Sequence, residues 1–535
     1  MKPISKLLQK QGPCLSSTLA DLLISERGIS PENARKLISR AVKSGEINSI
    51  KNMFPKREHF VYLKEDYGRD KFWTVFTEQL IATGSAYGLA LTALLARGGI
   101  VPVKYFGAAS GSPLAMKKKL SFNTVMENLV SLGLCKRLTL PGTGECIVVT
   151  EREDERFVRA ARQVNARLVS ESVFISSIVQ WAQNLNLVSY DSVKTRVNDT
   201  PTIANYQFDI TAPSYLSPLQ SRGDETAKPG FFACDVLLGV KVSLREVQPF
   251  IAKCKSVMSL KNVGRTLFVF AATEFDKDAF LELKKLGVIP ATPNNLFGDE
   301  VARCLNELNE FLSYYFASRR DNLEKIDSIM TCFSQIRGAT AQLQGALFEY
   351  LVAEVVRGDG GEVEIGRFCK DQKGKYADSD VCVTKRHREI RFIECKGYKP
   401  YSVVKHEDIK NWFGKQIPVF NAQAKNDAPN AHVIVELWTT GKFSPESKEA
   451  IIKFIESNDI RKRYEVRVLE AHEVRQQFLE TKNKKLINVY NDHFVENSYR
   501  EKETNYIHGS YRLAGGPLYY FEDDDSPEQD LNSPF

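Results

Sequence analysis

Hydrophobic and polar positions along the chain alternate with two periods, one typical of helices and one typical of strands. Over the first 65 residues this pattern predicts three helices followed by two strands. The third helix, over residues 30–45, begins with Ser30 as its N-cap and Pro31 at its first position. Its apolar positions recur every three or four residues, which predicts one buried face. The residues of that face are Ala34, Ile38 and Ala41.

The opposite face of this helix is basic, and the hairpin predicted after it has a basic tip. The basic residues of the helix and the tip are Lys36, Arg40, Lys43, Lys51, Lys56 and Arg57. This layout resembles a winged helix domain over residues 1–68, and the resemblance implies a recognition helix that contacts nucleic acid. A basic face that is merely solvated is the alternative.

A second unit with the same plan is predicted over residues 69–162. Its last helix is expected over residues 121–138, and a wing with a Pro-Gly turn is expected over residues 139–151. This helix is less basic than its counterpart. A protein contact or a purely structural role is therefore as compatible with the pattern as DNA binding.

Strands and helices alternate in two later segments, which indicates α/β domains with central sheets. These segments are residues 163–300 and residues 341–485, and a helical connector is predicted between them over residues 301–340. Residues 486–535 form a C-terminal extension. The expected fold class is multidomain α+β, with two winged helix units, a central α/β domain and a C-terminal domain with a mixed sheet.

Composition supports a folded, multidomain protein. The chain has 535 residues, 43% of them hydrophobic, which is too long for one compact core and too apolar for disorder. The sequence shows neither an apolar run of bilayer length nor a signal peptide, so a cytoplasmic location and no membrane partner are expected. The ten cysteines form no CxxC pair and are expected to be reduced core residues. A phosphate-binding GxxxxGK[ST] loop is missing, so no nucleotide cofactor is indicated.

The net charge of +7 is unevenly distributed. Residues 1–60 hold eleven Lys and Arg against five Asp and Glu, whereas residues 522–535 hold six acids and no base. The first segment could contact a polyanion. The last one predicts a solvated, disordered tail.

The stretch FIECKGY, residues 392–398, carries the most specific candidate chemistry. Glu394 and Lys396 are two residues apart on a predicted strand, so both side chains project from the same face. The preceding strand begins with Asp380, which a short turn would bring beside Glu394. Two carboxylates suit Mg²⁺, which neutralises phosphate charge and activates water, while a lysine stabilises developing negative charge. The spacing alone is uninformative, since it recurs elsewhere, for example at Glu282 and Lys284.

With the helix that precedes them, these strands resemble the restriction endonuclease-like, PD-(D/E)xK nuclease superfamily over about 140 residues. The resemblance implies a site made by a helix glutamate, a strand aspartate and an ExK strand. Carried over to this chain, the catalytic residues are Glu349, Asp380, Glu394 and Lys396, and the metal ligands are Asp380, Glu394 and the backbone carbonyl of Cys395. The proline that commonly precedes the aspartate is absent, and Asp378 competes for the role of first ligand. Gln416 and Gln423, on the following helix, are weaker candidates.

The central domain can be aligned with the same template. Asp209 then corresponds to Asp380 and Asp235 to Glu394, but Leu237 stands where Lys396 does. We therefore expect either a degenerate nuclease fold without its lysine or an unrelated α/β domain. A difference in strand order between the two sheets would exclude the first alternative.

The resemblance implies a Mg²⁺-dependent endonuclease, with Mn²⁺ able to substitute, that hydrolyses DNA and leaves a 5′-phosphate. The combination of domains is similar to that of prokaryotic restriction or anti-phage defence effectors. The expected partners are DNA and either further copies of the chain or proteins of a defence system. A DNA-binding regulator or scaffold with a non-catalytic nuclease fold and an RNA-directed nuclease are the alternatives.

Overall fold

The computed structural model describes residues 4–150, 154–220, 228–260, 263–314, 322–334, 336, 338–386, 388–399, 402–461, 464–495, 510–511 and 519–520. The chain forms two compact units: residues 1–160 with 178–299, and residues 161–177 with 300–535. The second unit therefore takes in residues 161–177, which the sequence assigned almost entirely to the central domain. The predicted acidic tail lies outside the described residues.

Residues 4–62 form a small three-helix domain with a three-stranded sheet. Its elements are α1 (Ile4–Gln11), β1 (Cys14–Leu15), α2 (Ser16–Arg27), α3 (Pro31–Lys43), β2 (Asn48–Ile50) and β3 (Phe60–Tyr62). The antiparallel strands have the order β1-β3-β2. The Ser30 side chain accepts a hydrogen bond from the Asn33 amide, so the predicted cap of α3 is confirmed. The predicted apolar face of α3 is also buried in the core.

The second domain repeats this arrangement after one additional helix. Its elements are α4 (Asp70–Ala82), α5 (Ala86–Ala96), β4 (Ile100–Pro102), α6 (Val103–Ser110), α7 (Phe122–Ser131), β5 (Cys135–Leu140) and β6 (Gly144–Val149). The strand order β4-β6-β5 matches that of the first domain. The helix predicted over residues 121–138 was too long, because Gly133 adopts φ +75° just after the end of α7. Residues from Cys135 onward form a strand instead.

The central domain is built on a five-stranded mixed sheet. Its elements are α8 (Asp154–Asn184), β7 (Lys194–Thr195), β8 (Thr202–Ile203), β9 (Tyr206–Gln207), β10 (Ile210–Ser214), β11 (Gly230–Val242), α9 (Leu244–Met258), β12 (Thr266–Phe275), α10 (Lys277–Lys285), β13 (Ile289–Ala291) and α11 (Pro293–Phe297). The sheet order is β7-β10-β11-β12-β13. β7, β10 and β11 pair antiparallel, while β11, β12 and β13 pair parallel.

The second unit contains another five-stranded mixed sheet, surrounded by helices. Its elements are α12 (Asp299–Tyr314), α13 (Asn322–Phe333), α14 (Ala339–Arg357), β14 (Glu362–Lys370), β15 (Tyr376–Lys385), β16 (Glu389–Lys396), β17 (Val403–Val404), α15 (His406–Asn411), α16 (Ile417–Asp427), β18 (His432–Thr439), β19 (Lys442–Phe443), α17 (Pro445–Arg461), β20 (Glu465–Leu469), α18 (Ala471–Glu480), α19 (Lys484–Phe494), β21 (Ser510–Tyr511) and β22 (Tyr519–Tyr520). A π-helical turn, Trp412–Gln416, joins α15 to α16. The helices predicted over residues 301–340 are present as α12 and α13, but residues 300 onward belong to the second unit and form no separate connector.

The sheet of the second unit has the order β14-β15-β16-β18-β20. β14, β15 and β16 pair antiparallel, and β16, β18 and β20 pair parallel. Strand order and strand direction are thus the same as in the central domain. A difference in strand order would have excluded a nuclease-like fold for the central domain, and the two strand orders agree.

All ten cysteines lie among the described residues as free thiols, and nine of them are buried. Among the described helices, none is by itself long and apolar enough to cross a membrane, although α4 and α5, bent by 105°, together meet that length and composition.

Candidate nuclease site and its counterpart

The residues predicted from FIECKGY meet at the C-terminal end of the central strand β16 in the second unit's sheet. β16 is a central strand whose last residues are Glu394 and Lys396, and it runs antiparallel to β15. Val381 pairs with Ile393, so Asp380 occupies the next position, opposite Glu394. Directly opposed residues of an antiparallel pair project from the same face. The short hairpin between β15 and β16 therefore brings the two carboxylates together, as the sequence predicted.

Asp380 is held by a main-chain hydrogen bond. The Cys395 amide donates to Oδ2 of Asp380 over 2.7 Å, which fixes the carboxylate at the point where regular pairing of β15 and β16 ends. Cys395 itself is buried, as expected. Its carbonyl as a metal ligand remains a prediction that the structure does not test.

Glu394 is oriented by two donors. Lys396 Nζ lies 2.8 Å from Oε1 of Glu394, and Gln416 Nε2 lies 3.2 Å from Oε2. Gln416 is the last residue of the π-helical turn, a local widening that is often found at functional sites. Gln416 thus joins the site, whereas Gln423 binds the Lys370 amide and the Asp427 carboxylate instead.

Glu349 approaches the same carboxylates from α14. Its pKa is raised well above the ordinary value by burial and then by the negative charges of Asp380 and Glu394. The close approach of α14 depends on Gly397, the residue after Lys396. A Cβ atom there would lie 2.4 Å from the Gln344 carbonyl oxygen and 2.6 Å from Cβ of Phe348, both in α14. Glycine is therefore required for this packing.

Burial and mutual repulsion dominate the electrostatics of the cluster. Burial, followed by the charge of Glu394, raises the pKa of Asp380 from its ordinary 3.8 to about 8. Burial disfavours the charge on Lys396, yet Glu394 and Asp380 together raise its pKa above the ordinary value. Asp378 adds to the negative charge that both Asp380 and Glu349 experience, so it stays a competing ligand. The site thus gathers more carboxyl groups than one lysine can neutralise, and the raised pKa values of Asp380 and Glu349 reflect this.

This donor set fits a hard divalent cation. Within the part of the chain that the structure describes, no group of three or more His, Cys, Asp and Glu side chains is arranged to hold a metal ion. Mg²⁺, however, usually takes only one or two protein carboxylates and keeps several waters. Asp380 and Glu394 would provide those two ligands, and the cation would relieve the repulsion that raises the pKa of Asp380.

Thr439 and Thr440 were not singled out from the sequence. Thr439 Oγ1 donates to the Lys396 carbonyl over 3.1 Å. Thr440 Oγ1 accepts from the Tyr398 amide and donates to the Tyr398 carbonyl. These hydrogen bonds fix the backbone on both sides of Gly397. Thr439 is the last residue of β18, which is parallel to β16, and Thr440 follows it, but no spacing relative to Lys396 could have identified them.

The central domain carries a counterpart of this site in the same register. Ile210 pairs with Cys234, which puts Asp209 opposite Asp235. The Val236 amide donates to Oδ2 of Asp209 over 2.7 Å, the same bond that Cys395 makes with Asp380. Here, however, the carboxylates have their own cations. They are Arg196, 3.0 Å from Asp209, and Lys253, 2.5 Å from Asp235.

Lys253 is completely buried and pairs with Asp235, as Lys396 pairs with Glu394. Its Nζ also donates to the carbonyls of Gln207 and Ala108 over 2.8 and 2.9 Å, so three acceptors match its three hydrogens. Burial raises the pKa of Asp235 to about 6, although Lys253 acts to lower it. Sequence reasoning missed Lys253 because it comes from α9 rather than from the strand.

All six basic residues predicted to contact nucleic acid are exposed in the first domain. Lys36, Arg40 and Lys43 lie on α3, whereas Lys51, Lys56 and Arg57 lie in the hairpin between β2 and β3. Lys56 and Arg57 both have positive φ, a conformation that non-glycine residues rarely adopt. The hairpin tip therefore holds its basic side chains in an unusual backbone geometry.

Compared with models of known families, with curated proteins and with solved structures, the chain has no significant match.

Proposed function

We propose that this protein is a Mg²⁺-dependent nuclease that hydrolyses phosphodiester bonds of DNA at the Asp380–Glu394–Lys396 site. One observation carries the proposal: two carboxylates and a lysine, each held by a specific hydrogen bond, lie together on two neighbouring strands of a mixed sheet. A divalent cation at Asp380 and Glu394 would neutralise phosphate charge and lower the pKa of a water molecule.

The residues of the chain have separable roles in this proposal. Lys396 keeps its proton at neutral pH because its pKa is raised, so it stabilises negative charge on the phosphate and does not accept a proton. Glu394 holds that ammonium in place, and Gln416 fixes the second Glu394 oxygen. Asp380, with a pKa of about 8, loses its proton readily near neutral pH when a cation binds.

DNA is the proposed substrate because of the first domain. Its helix α3 packs an apolar face into the core and leaves Lys36, Arg40 and Lys43 exposed. A helix with that layout, followed by a basic hairpin, suits the major groove and the adjacent phosphates. A role in restriction or anti-phage defence rests on the family resemblance alone.

The test is cleavage of single-stranded DNA, duplex DNA and RNA by the full-length protein with Mg²⁺, Mn²⁺ or EDTA. We expect Mg²⁺-dependent cleavage of DNA that falls on the order of 100-fold or more in Glu394→Ala and Lys396→Ala. Lys284→Ala is the matched control, since Glu282 and Lys284 have the same spacing on the surface helix α10. Equal cleavage by wild type and both site variants would refute the assignment.

The same assay separates the two alternatives. Cleavage confined to RNA would identify an RNA-directed nuclease. DNA binding without any metal-dependent cleavage would favour a regulator or scaffold, in which the nuclease-like fold serves for docking.

A further inference from the structure

A cavity of about 330 Å³ lies beside the degenerate site of the central domain. Its wall includes Gln207 and Phe208, the two residues before Asp209, and Arg196, whose Nη1 binds Asp209 over 3.0 Å. Lys104 and Tyr105 of α6 form another part of the wall, and Asp199 also lines the cavity. The cavity is therefore adjacent to the aspartate that corresponds, in strand register, to Asp380 of the candidate nuclease site.

The degenerate site is already neutralised from within the chain. Lys253 satisfies Asp235 and is closed off from solvent, and Arg196 satisfies Asp209. Both carboxylates that a divalent metal would need are thus already paired with side-chain cations. Arg196 and Lys104 both line the adjacent cavity.

The lining of the cavity combines cations with an aromatic ring. The guanidinium carbon of Arg196 lies 5.0 Å from the ring centroid of Tyr105, and Lys104 Nζ lies 4.8 Å from the same ring. Stacked in this way, the guanidinium of Arg196 presents a planar, charged surface. Asp199, which lines the same cavity, is paired with Lys194 at 2.9 Å, which reduces its repulsion of an anion.

We propose that this cavity binds one nucleotide unit without cleaving it. Arg196 and Lys104 would contact the phosphate, and Tyr105 would contact the base. A volume of about 330 Å³ is at the lower end of the range for small-molecule sites, about 300–1,000 Å³, which suits a single nucleotide. The inference rests on the proposed function, since it assigns to the central domain a non-catalytic site for the same class of ligand.

A nucleotide unit could be a free nucleoside monophosphate or the 5′-phosphorylated end of a single strand. Both are tested with the full-length protein in EDTA, where metal-dependent cleavage is suppressed, by titration calorimetry. The probes are dAMP, a 5′-phosphorylated single-stranded oligonucleotide and inorganic phosphate. Tighter binding of dAMP than of phosphate is expected, because phosphate lacks the base. A still tighter oligonucleotide, dependent on Lys104, would identify a strand end as the ligand.

Variants at the cavity provide the decisive comparison. Lys104→Ala is expected to weaken dAMP binding roughly tenfold, the loss of one charge-assisted contact. Tyr105→Leu is expected to remove the preference for dAMP over phosphate. Lys277→Ala is the matched control, because Lys277 is exposed on α10, which packs near β13 at the opposite edge of the sheet.

The outcomes also distinguish this inference from the proposed nuclease function. Glu394→Ala should abolish cleavage and leave dAMP binding unchanged. If dAMP binding persists in a protein that cleaves nothing, only the nuclease proposal fails. If no probe binds saturably, or if Lys104→Ala binds dAMP as tightly as wild type, the cavity proposal is overturned.

Discussion

Replacing Asp380 with asparagine should stabilise the second unit while abolishing cleavage. Its carboxyl is buried near Glu394, which helps raise its pKa from 3.8 to about 8. At pH 7, about three pKa units above the ordinary value, holding this group in the fold costs about 4 kcal/mol, since each unit is worth about 1.4 kcal/mol. Asparagine removes that cost and keeps an oxygen to accept from the Cys395 amide.

The dependence on pH follows from the sign of the pKa change. A carboxyl whose pKa is higher in the folded state binds its proton more tightly there, so stability falls as pH rises from about 4 to about 8. We therefore expect Asp380→Asn to exceed wild type by about 2–4 kcal/mol at pH 7 and to match it near pH 4. Divalent cations should act in the same direction on wild type, by about 2.7 kcal/mol at 100 times the dissociation constant.

Hydrogen exchange of peptides from Glu389–Lys396 measures this effect locally, which matters because a chain with two units need not unfold in one step. Wild type and variant are compared at the same pH in EDTA and in Mg²⁺. Asp21→Asn, an exposed change on α2, is the control and should alter nothing. Equal protection of wild type and variant at pH 7, or a gain of the same size at pH 4, would refute the reasoning.

Three further changes test other parts of the structure. Gly397→Ala should cost about 1–3 kcal/mol and most of the cleavage activity, because its Cβ overlaps α14; Gly345→Ala, whose Cβ would meet nothing closer than 4.0 Å, should leave cleavage intact. The double change Arg40→Ala with Lys43→Ala should weaken DNA binding and reduce its salt dependence, and an unchanged salt slope in filter binding would contradict that role. Lys253→Ala should destabilise the central domain by about 3–5 kcal/mol, since it leaves a buried carboxylate unpaired; denaturation at the wild-type midpoint would contradict this.

The order of strands and helices along the chain was largely predictable in both sheet-containing domains, because it depends on local patterns. An apolar run predicted β16, and the period of two predicted that Glu394 and Lys396 share a face. The sequence predicted one helix that carries Gln416 and Gln423, whereas the structure has two α-helices joined by a π-helical turn. Gln416, the last residue of that turn, donates to Glu394, whereas Gln423 lies about 10 Å further along the helix axis and binds the Lys370 amide instead.

Contacts between distant segments could not be predicted from local patterns. Nothing in the sequence around Gly397 shows that α14 lies against it, because that packing involves residues about 50 positions earlier. The role of Lys253 could not be predicted either, because Lys253 lies on α9 and not at the strand position of Leu237 that corresponds to Lys396.

The same strand arrangement carries two different charge balances: each acid has its own cation in the central domain, whereas the acids of the second unit share one lysine. In both, an aspartate accepts a hydrogen bond from the amide that follows the opposing acid. Lys253 and Arg196 neutralise the acids of the central domain, whereas Lys396 is shared by several carboxylates of the second unit. Burial and the surplus of carboxyl groups in the second unit raise the pKa of Asp380 to about 8, which is unfavourable for folding at neutral pH and favours binding of a cation. This difference, more than the shared fold, is the physical reason to assign the chemistry to Glu394 and Lys396.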